Sequence, residues 1–175
     1  MIFTTNYSSP LGNLTLASKE EKLIGIWIEN QKYHGETLFP ELEVCDILPI
    51  FSQTKEWLDD YFAKKNPSFP THLLAPCGSP FRQEVWKILL EIPYGEVITY
   101  GEISKTLAKK FGRKRISNQA VGGAVGHNPI TILIPCHRVV GKNGNLTGYA
   151  GGIEKKIHLL EHEGISTENF SMPKA

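Results

Sequence analysis

No apolar run in this 175-residue chain reaches the roughly 18 to 20 residues that cross a bilayer, and the opening MIFTTNYSSPLGN lacks the charged start and apolar stretch of a signal peptide. The expectation is a globular, cytoplasmic protein with no membrane partner. Cysteine is scarce. Cys45, Cys77 and Cys136 cannot pair evenly and show no CxxC spacing, so neither a disulfide framework nor a cysteine-based metal site is suggested. No metal and no cofactor is expected, and at least one thiol is left free to react. Internal repeats and low-complexity tracts are missing too, which sets aside repeat architectures.

What is present suffices for a packed core: 41% hydrophobic and 10% aromatic residues, in a length that holds one ordinary domain or two small ones. The formal charge of +1 conceals an asymmetry. Residues 1–76 carry 6 Lys/Arg against 10 Asp/Glu, whereas residues 77–175 carry 13 against 8. Only the second half favours a polyanion. Its sharpest feature is Lys109, Lys110, Arg113, Lys114 and Arg115 around Phe111 and Gly112, which reads either as a solvated basic loop or as a polyanion contact.

The first half reads as short strands, Ile2 to Tyr7, Gly12 to Ser18 and Leu23 to Glu29, separated by turn residues and forming an antiparallel sheet. Residues 50–65 then place Phe51, Leu58, Tyr61 and Phe62 on a helical stripe, with Pro67 and Pro70 ending it. Residues 66–78 read as a linker. No catalytic constellation stands in this half, so residues 1–76 are expected to be a scaffold domain and residues 77–175 a second domain.

That second domain reads as helical. Ser79 and Pro80 open a helix with Phe81, Val85, Ile88 and Leu89 at helical spacing. Thr99 and Glu102 form a capping box for a helix whose stripe is Ile103, Leu107 and Phe111, closed by Gly112. Ser117 caps a further helix with Ala120, Val121, Ala124 and Val125 as apolar positions, and the pair suggests a helix-turn-helix. The last helix also holds Gly122, Gly123 and Gly126, each costing about 1 kcal/mol relative to alanine. Entry into a narrow groove and tight packing on another helix both explain them.

Downstream lies NPITILIPCHRVVG, residues 128–141. The run from Ile130 to Ile134 suits a buried strand, Pro135 stops the ladder, and Cys136 and His137 follow where the chain leaves the core. A lone buried cysteine is commonly a small hydrophobe. An adjacent imidazole points instead to a nucleophile, with the base expected to lower the thiol pKa from about 8.5.

The segment IPCHRVVG, with Asn128-Pro129 upstream and GYAGG downstream, resembles the O6-alkylguanine-DNA alkyltransferases, most densely from Phe81 to Gly164. The resemblance implies an α+β protein: an N-terminal ribonuclease-H-like domain with an antiparallel sheet and helix, and a mainly helical C-terminal domain whose helix-turn-helix enters the minor groove of double-stranded DNA. It implies a monomer that flips O6-alkylguanine, and possible O4-alkylthymine, into a pocket and moves the alkyl group irreversibly to Cys136. By the same resemblance His137 is the base acting through a water, Glu163 orients it, Asn128 braces the active-site turn, and Tyr100 helps rotate the nucleotide and donates to the base. Tyr149, Ala150 and Gly151 line the base pocket, while Gln119, Ala120, Gly123 and Arg115 contact DNA. Arg138 is expected to serve structure more than chemistry.

This chain departs from the family pattern at two places. Gln119 stands where an arginine often fills the gap left by the flipped base, and Ala150 stands where some members carry serine. The longer basic connection KKFGRKR offers phosphate contacts that offset the missing charge. Two other classes compete with a suicidal transferase. A cysteine hydrolase would turn over on an ester or amide but needs an oxyanion hole; a DNA-binding regulator or lesion sensor would need no reactive thiol.

Overall fold

The computed structural model describes residues 1–38, 41–168 and 170–171 and divides into two compact units. The first comprises residues 1–77 and 129–131, the second residues 78–128 and 132–175.

In the first unit the alternating, β-branched sequences fold into β1 (Ile2–Ser9), β2 (Gly12–Lys19) and β3 (Lys22–Ile28), an antiparallel meander. A short β4 (Leu42–Val44), not foreseen, joins β1 in parallel, giving the order β3-β2-β1-β4. Helix α1 (Pro49–Phe62) buries Ile50, Phe51, Thr54, Leu58 and Tyr61. It stops three residues before the expected end because Lys64 takes φ 63° and the N–H of Lys65 returns to the Asp60 carbonyl, a Schellman stop that precedes either proline. The stretch expected as linker is partly structured: Ala75 N–H donates to Leu23 O on the outer edge of β3. Farther along that edge, Ile26 N–H donates to Pro129 O and Thr131 N–H to Ile26 O. Both additions cover hydrogen-bonding groups that a bare edge strand would expose.

That second pairing corrects the expected strand at 130–134. All five residues are buried, but only one isolated bridge, Ile26 to Ile130, forms, and the chain then turns. Burial rather than extension explains the apolar run. Ile132 sits at φ 73°, a conformation that costs a β-branched residue on the order of 1–3 kcal/mol, held in place by a side chain only 1% exposed.

The second unit follows its caps. Ser79 accepts from Arg82 N–H at the start of α2 (Pro80–Leu90). A two-residue β5 (Ile98–Thr99) leads into α3 (Tyr100–Lys110), whose capping box between Thr99 and Glu102 is complete in both directions. Ser117 caps α4 (Asn118–Gly126) through Ala120 N–H. Ser104 donates to Asn118 Oδ1 at 2.5 Å, tying α3 to α4, and Trp86 Nε1 donates to Ala124 O at 2.9 Å, tying α2 to α4. Phe111, expected on the buried stripe of α3, is instead 42% exposed, because the helix ends there and Gly112 turns the chain away. The chain continues through the turn Cys136–Arg138 to β6 (Val139–Val140), parallel to β5, and ends in α5 (Ile153–His162).

The indole bond of Trp86 gives a direct test of this packing. Trp86→Phe leaves the Ala124 carbonyl without that buried donor and should lower the urea-unfolding free energy by about 1–3 kcal/mol; an unchanged midpoint would show that the bond contributes nothing.

Candidate active site

The β5–β6 pair, Ile98 to Val139 and Thr99 to Val140, brings the start of α3 alongside the chain that leaves Cys136. Just before it, Pro135 at φ −81°, ψ 66° forms an inverse γ-turn, with Cys136 N–H donating to Ile134 O at 2.8 Å. Asn128 Nδ2 donates to the same carbonyl, also at 2.8 Å. One peptide oxygen thus fixes the cysteine backbone against the end of the α4 connection, and the Asn128 side chain also reaches the thiol.

Glu163 enters from the end of α5. The helix stops there because Gly164 takes φ 85°, which suits glycine, while Ile165 N–H returns to Leu160 O. The carboxylate is buried and accepts hydrogen bonds from His137 Nε2 at 2.6 Å, Arg138 Nε at 2.8 Å, Arg138 Nη2 at 3.1 Å and Gly95 N–H at 3.1 Å. Gly95 can present its N–H because it sits at φ 79°, in a turn closed by Glu96 N–H to Pro93 O. Arg138 completes its set on Ile92 O at 2.7 Å and lies over the Tyr94 ring.

These contacts settle the protonation states. Burial opposes charge on Glu163, yet the hydrogen bonds from His137 and Arg138 and the charge of Arg138 outweigh it and hold the carboxyl well below its usual range. An ionised carboxylate only accepts, so His137 Nε2 carries the hydrogen. Burial pushes the His137 imidazole down, against the upward pull of Glu163, and leaves it neutral. Its Nδ1 is then an acceptor, buried and without a hydrogen-bond partner among the described residues.

The thiol departs from expectation. Burial pushes the Cys136 pKa up; the Asn128 hydrogen bond and the Lys156 charge offset this only in part. The neighbouring imidazole does not lower it, being neutral itself, so the resting site pairs a protonated thiol with an unprotonated base.

Tyr100 stands at the first position of α3, donates to Thr147 O at 3.1 Å, and is pushed up to about 12, chiefly by burial. It stays a donor at neutral pH. Tyr149 is buried, its hydroxyl has no hydrogen-bond partner among the described residues, and burial and Cys136 raise it well above the ordinary value. Ala150 and Gly151 are half-buried in the turn that Gly152 N–H closes on Tyr149 O.

The residues expected to contact DNA divide. Tyr100 and Gln119 line one groove of about 720 Å³ with Gly122, Lys105 and Lys142; Arg115 and Ala120 line another of about 620 Å³ with Phe81, Phe111 and Arg113. Gly123 is exposed and lines neither. A Cβ at Gly122, Gly123 or Gly126 would meet nothing within 4 Å beyond the helix itself, so tight packing on a neighbouring helix does not explain these glycines.

Sequence reasoning missed Lys156. Its ammonium is fully buried and donates to Val139 O at 2.6 Å and Thr147 O at 2.9 Å, and burial pushes its pKa down to about 8. The signal was available: Lys156, Leu159, Leu160 and Glu163 share one helical stripe with two polar members on the buried side.

Residues 2–74 match the ribonuclease-like domain of 6-O-methylguanine DNA methyltransferase, and residues 80–165 match its DNA binding domain. The chain belongs to the 6-O-methylguanine DNA methyltransferase family. Among its relatives, the methylated-DNA--protein-cysteine methyltransferase of Haemophilus influenzae is 40% identical over 168 residues, covering 94% of this chain and 87% of the relative. That of Mycobacterium tuberculosis is 42% identical over 163 residues, 93% of both chains. The crystal structure of the M. tuberculosis O6-methylguanine methyltransferase superposes with a TM-score of 0.76 at 41% identity, covering 93% of each chain. A crystal structure of the M. tuberculosis protein in complex with DNA gives 0.75 at 41% identity, covering 93% of this chain and 91% of that one. The expected α+β architecture with its ribonuclease-like sheet is therefore the architecture of this methyltransferase family.

The buried carboxylate and imidazole link stability to pH in one direction. Glu163 is held below its unfolded value of about 4.3, and His137 below about 6.5. The unfolded chain thus binds protons more readily at both sites, and their stabilisation is present at neutral pH and lost on acidification. Urea-unfolding free energy should decline below about pH 6.5 and again below about pH 4.3. Glu163→Gln should cost about 3–5 kcal/mol at pH 7 by leaving Arg138 uncompensated, and should make the lower limb shallower. A Gln variant with the wild-type acid profile would contradict the assignment.

Proposed function

We propose that this chain repairs DNA by direct reversal, moving the alkyl group from O6 of an alkylated guanine in duplex DNA onto Cys136 in a single, irreversible turnover. The observation that carries this reading is a buried cysteine thiol followed directly in the chain by a neutral His137 whose Nε2–H is engaged by Glu163 and whose Nδ1 remains an acceptor. Family membership supports the substrate class, as does the relatives' name, methylated-DNA--protein-cysteine methyltransferase.

In this reading His137 Nδ1 takes the Cys136 proton through a water as sulfur attacks the alkyl carbon. The S–C bond forms as the C–O6 bond breaks, and the electron pair leaves on guanine. Tyr100, protonated at neutral pH, supplies a hydrogen bond or proton to the departing base. Imidazolium and tyrosine then re-equilibrate with solvent. Asn128 holds the nucleophile's turn through Ile134 O, and Tyr149, Ala150 and Gly151 form the base pocket. The product is a thioether that no neighbouring group is poised to hydrolyse, which makes the protein its own co-substrate.

Reaching such a base requires flipping it from the duplex, at a few kcal/mol of lost stacking and pairing. The small, open face of α4, with Ala120, Gly122 and Gly123, supports approach through the minor groove, where Gln119 and Tyr100 lie beside the same cleft. The residues 1–76 act as scaffold. A compartment with DNA and reduced thiols, the cytoplasm, fits a protein that depends on a free cysteine.

The test is intact-protein mass after incubation with duplex DNA containing O6-methylguanine. Wild type should gain one methylene unit and no more, with unmodified guanine restored in the DNA, while Cys136→Ala gains nothing. Retained lesion binding without a mass gain would mean a lesion-binding module instead, and multiple turnover on an ester would mean a hydrolase.

A further inference from the structure

Helix α4 bears no cation from Asn118 to Gly126, although a DNA-binding element draws its affinity largely from charge. The flanks carry that charge instead. Among the five cations at the α3–α4 connection, Lys110 is bonded to Glu84, which also holds Lys87 at 3.2 Å. Lys110 is thus held against a carboxylate of α2. Lys109, Arg113, Lys114 and Arg115 are exposed and make no ion pair among the described residues.

Their placement matters as much as their number. The two grooves lie on either side of α4: Tyr100, Gln119, Lys105 and Lys142 line one, while Arg113, Arg115 and Phe111 line the other. A helix seated in a duplex groove has a phosphate backbone on each side of it, and the minor groove is only about 6 Å wide. Residues on the Tyr100 side would meet one backbone, and those on the Arg113 side the other. The second groove has apolar walls at Phe81 and Phe111, suited to the sugar edges, and a cationic rim suited to the phosphates. Glu84, the acidic group in that groove, is already occupied by two lysines.

We propose that Arg113, Lys114 and Arg115 form a phosphate seat that grips the DNA backbone on the side of α4 away from Tyr100, and that this seat supplies the charge which α4 and Gln119 lack. The proposal rests on the DNA reading above and deepens it. It assigns no part of the chemistry to these residues: they hold the duplex, and the cleft with Tyr100 handles the base.

The experiment is equilibrium binding to duplex DNA bearing O6-methylguanine across a salt series, for wild type, Arg115→Gln, the triple variant Arg113→Gln/Lys114→Gln/Arg115→Gln, and Lys110→Gln. The triple variant should lose about 2–3 units from the slope of log K against log salt, and Arg115→Gln about 0.9. Lys110→Gln should keep the wild-type slope. A triple variant with the wild-type slope overturns the seat. Equal slope losses in Lys110→Gln and Arg115→Gln overturn it too, because net charge alone would then account for them. Wild type that fails to bind the duplex at any salt overturns the DNA reading itself, which separates the two failures.

Discussion

The Glu163 carboxylate is the point on which the second unit's functional half depends. It stands at the end of α5, accepts from the Gly95 turn, clamps Arg138 in bidentate fashion and fixes the imidazole of His137. A single buried anion therefore ties two turns to the end of a helix. Such a charge is stable only while fully hydrogen-bonded, since an unpaired ion in this interior would cost several kcal/mol. The same requirement that keeps it ionised forces the tautomer of its neighbour.

Around that anion the cysteine, the histidine and the tyrosines are kept uncharged. Cys136 is a thiol because burial penalises the thiolate, His137 is neutral because burial penalises imidazolium, and both tyrosines are held protonated. Charge is generated only when a substrate gives the proton and electron pair somewhere to go, which suits a protein that can react once. Lys156 is the nearby exception, a buried ammonium held by the carbonyls of Val139 and Thr147. Thr147 O also accepts from Tyr100, so one peptide oxygen joins α5, the loop before Tyr149 and the start of α3.

Local signals carried much of the fold into the sequence. The Thr99–Glu102 box, the Ser79-Pro80 and Ser117 caps and the Gly112 stop are decided within a few residues, and each stands where its spacing places it. What escaped needs partners distant in sequence. Ile130–Ile134 is equally apolar as a strand or as a buried turn, and only the edge of β3 decides that one residue pairs. Phe111 continues a helical spacing into a residue where the helix has stopped. Lys110 reads as part of a free cationic run until Glu84 of α2 is brought against it. At the site, the cysteine–histidine pair was legible as chemistry, and the roles of Glu163, Asn128, Tyr100 and Tyr149 came from the family resemblance. The thiol's raised pKa could not be read from adjacency, because it depends on how completely Cys136 is enclosed.

The central physical claim is that Glu163 holds His137 neutral, with its hydrogen on Nε2 and its Nδ1 open to accept the cysteine proton. Nitrogen-15 NMR of the imidazole at pH 7 tests it most directly. The account predicts a neutral ring protonated at Nε2 in the wild type, with that preference lost or weakened in Glu163→Ala. A His137 that is doubly protonated at pH 7, or neutral with its hydrogen on Nδ1, would contradict the account, since the base would then have no lone pair to offer Cys136.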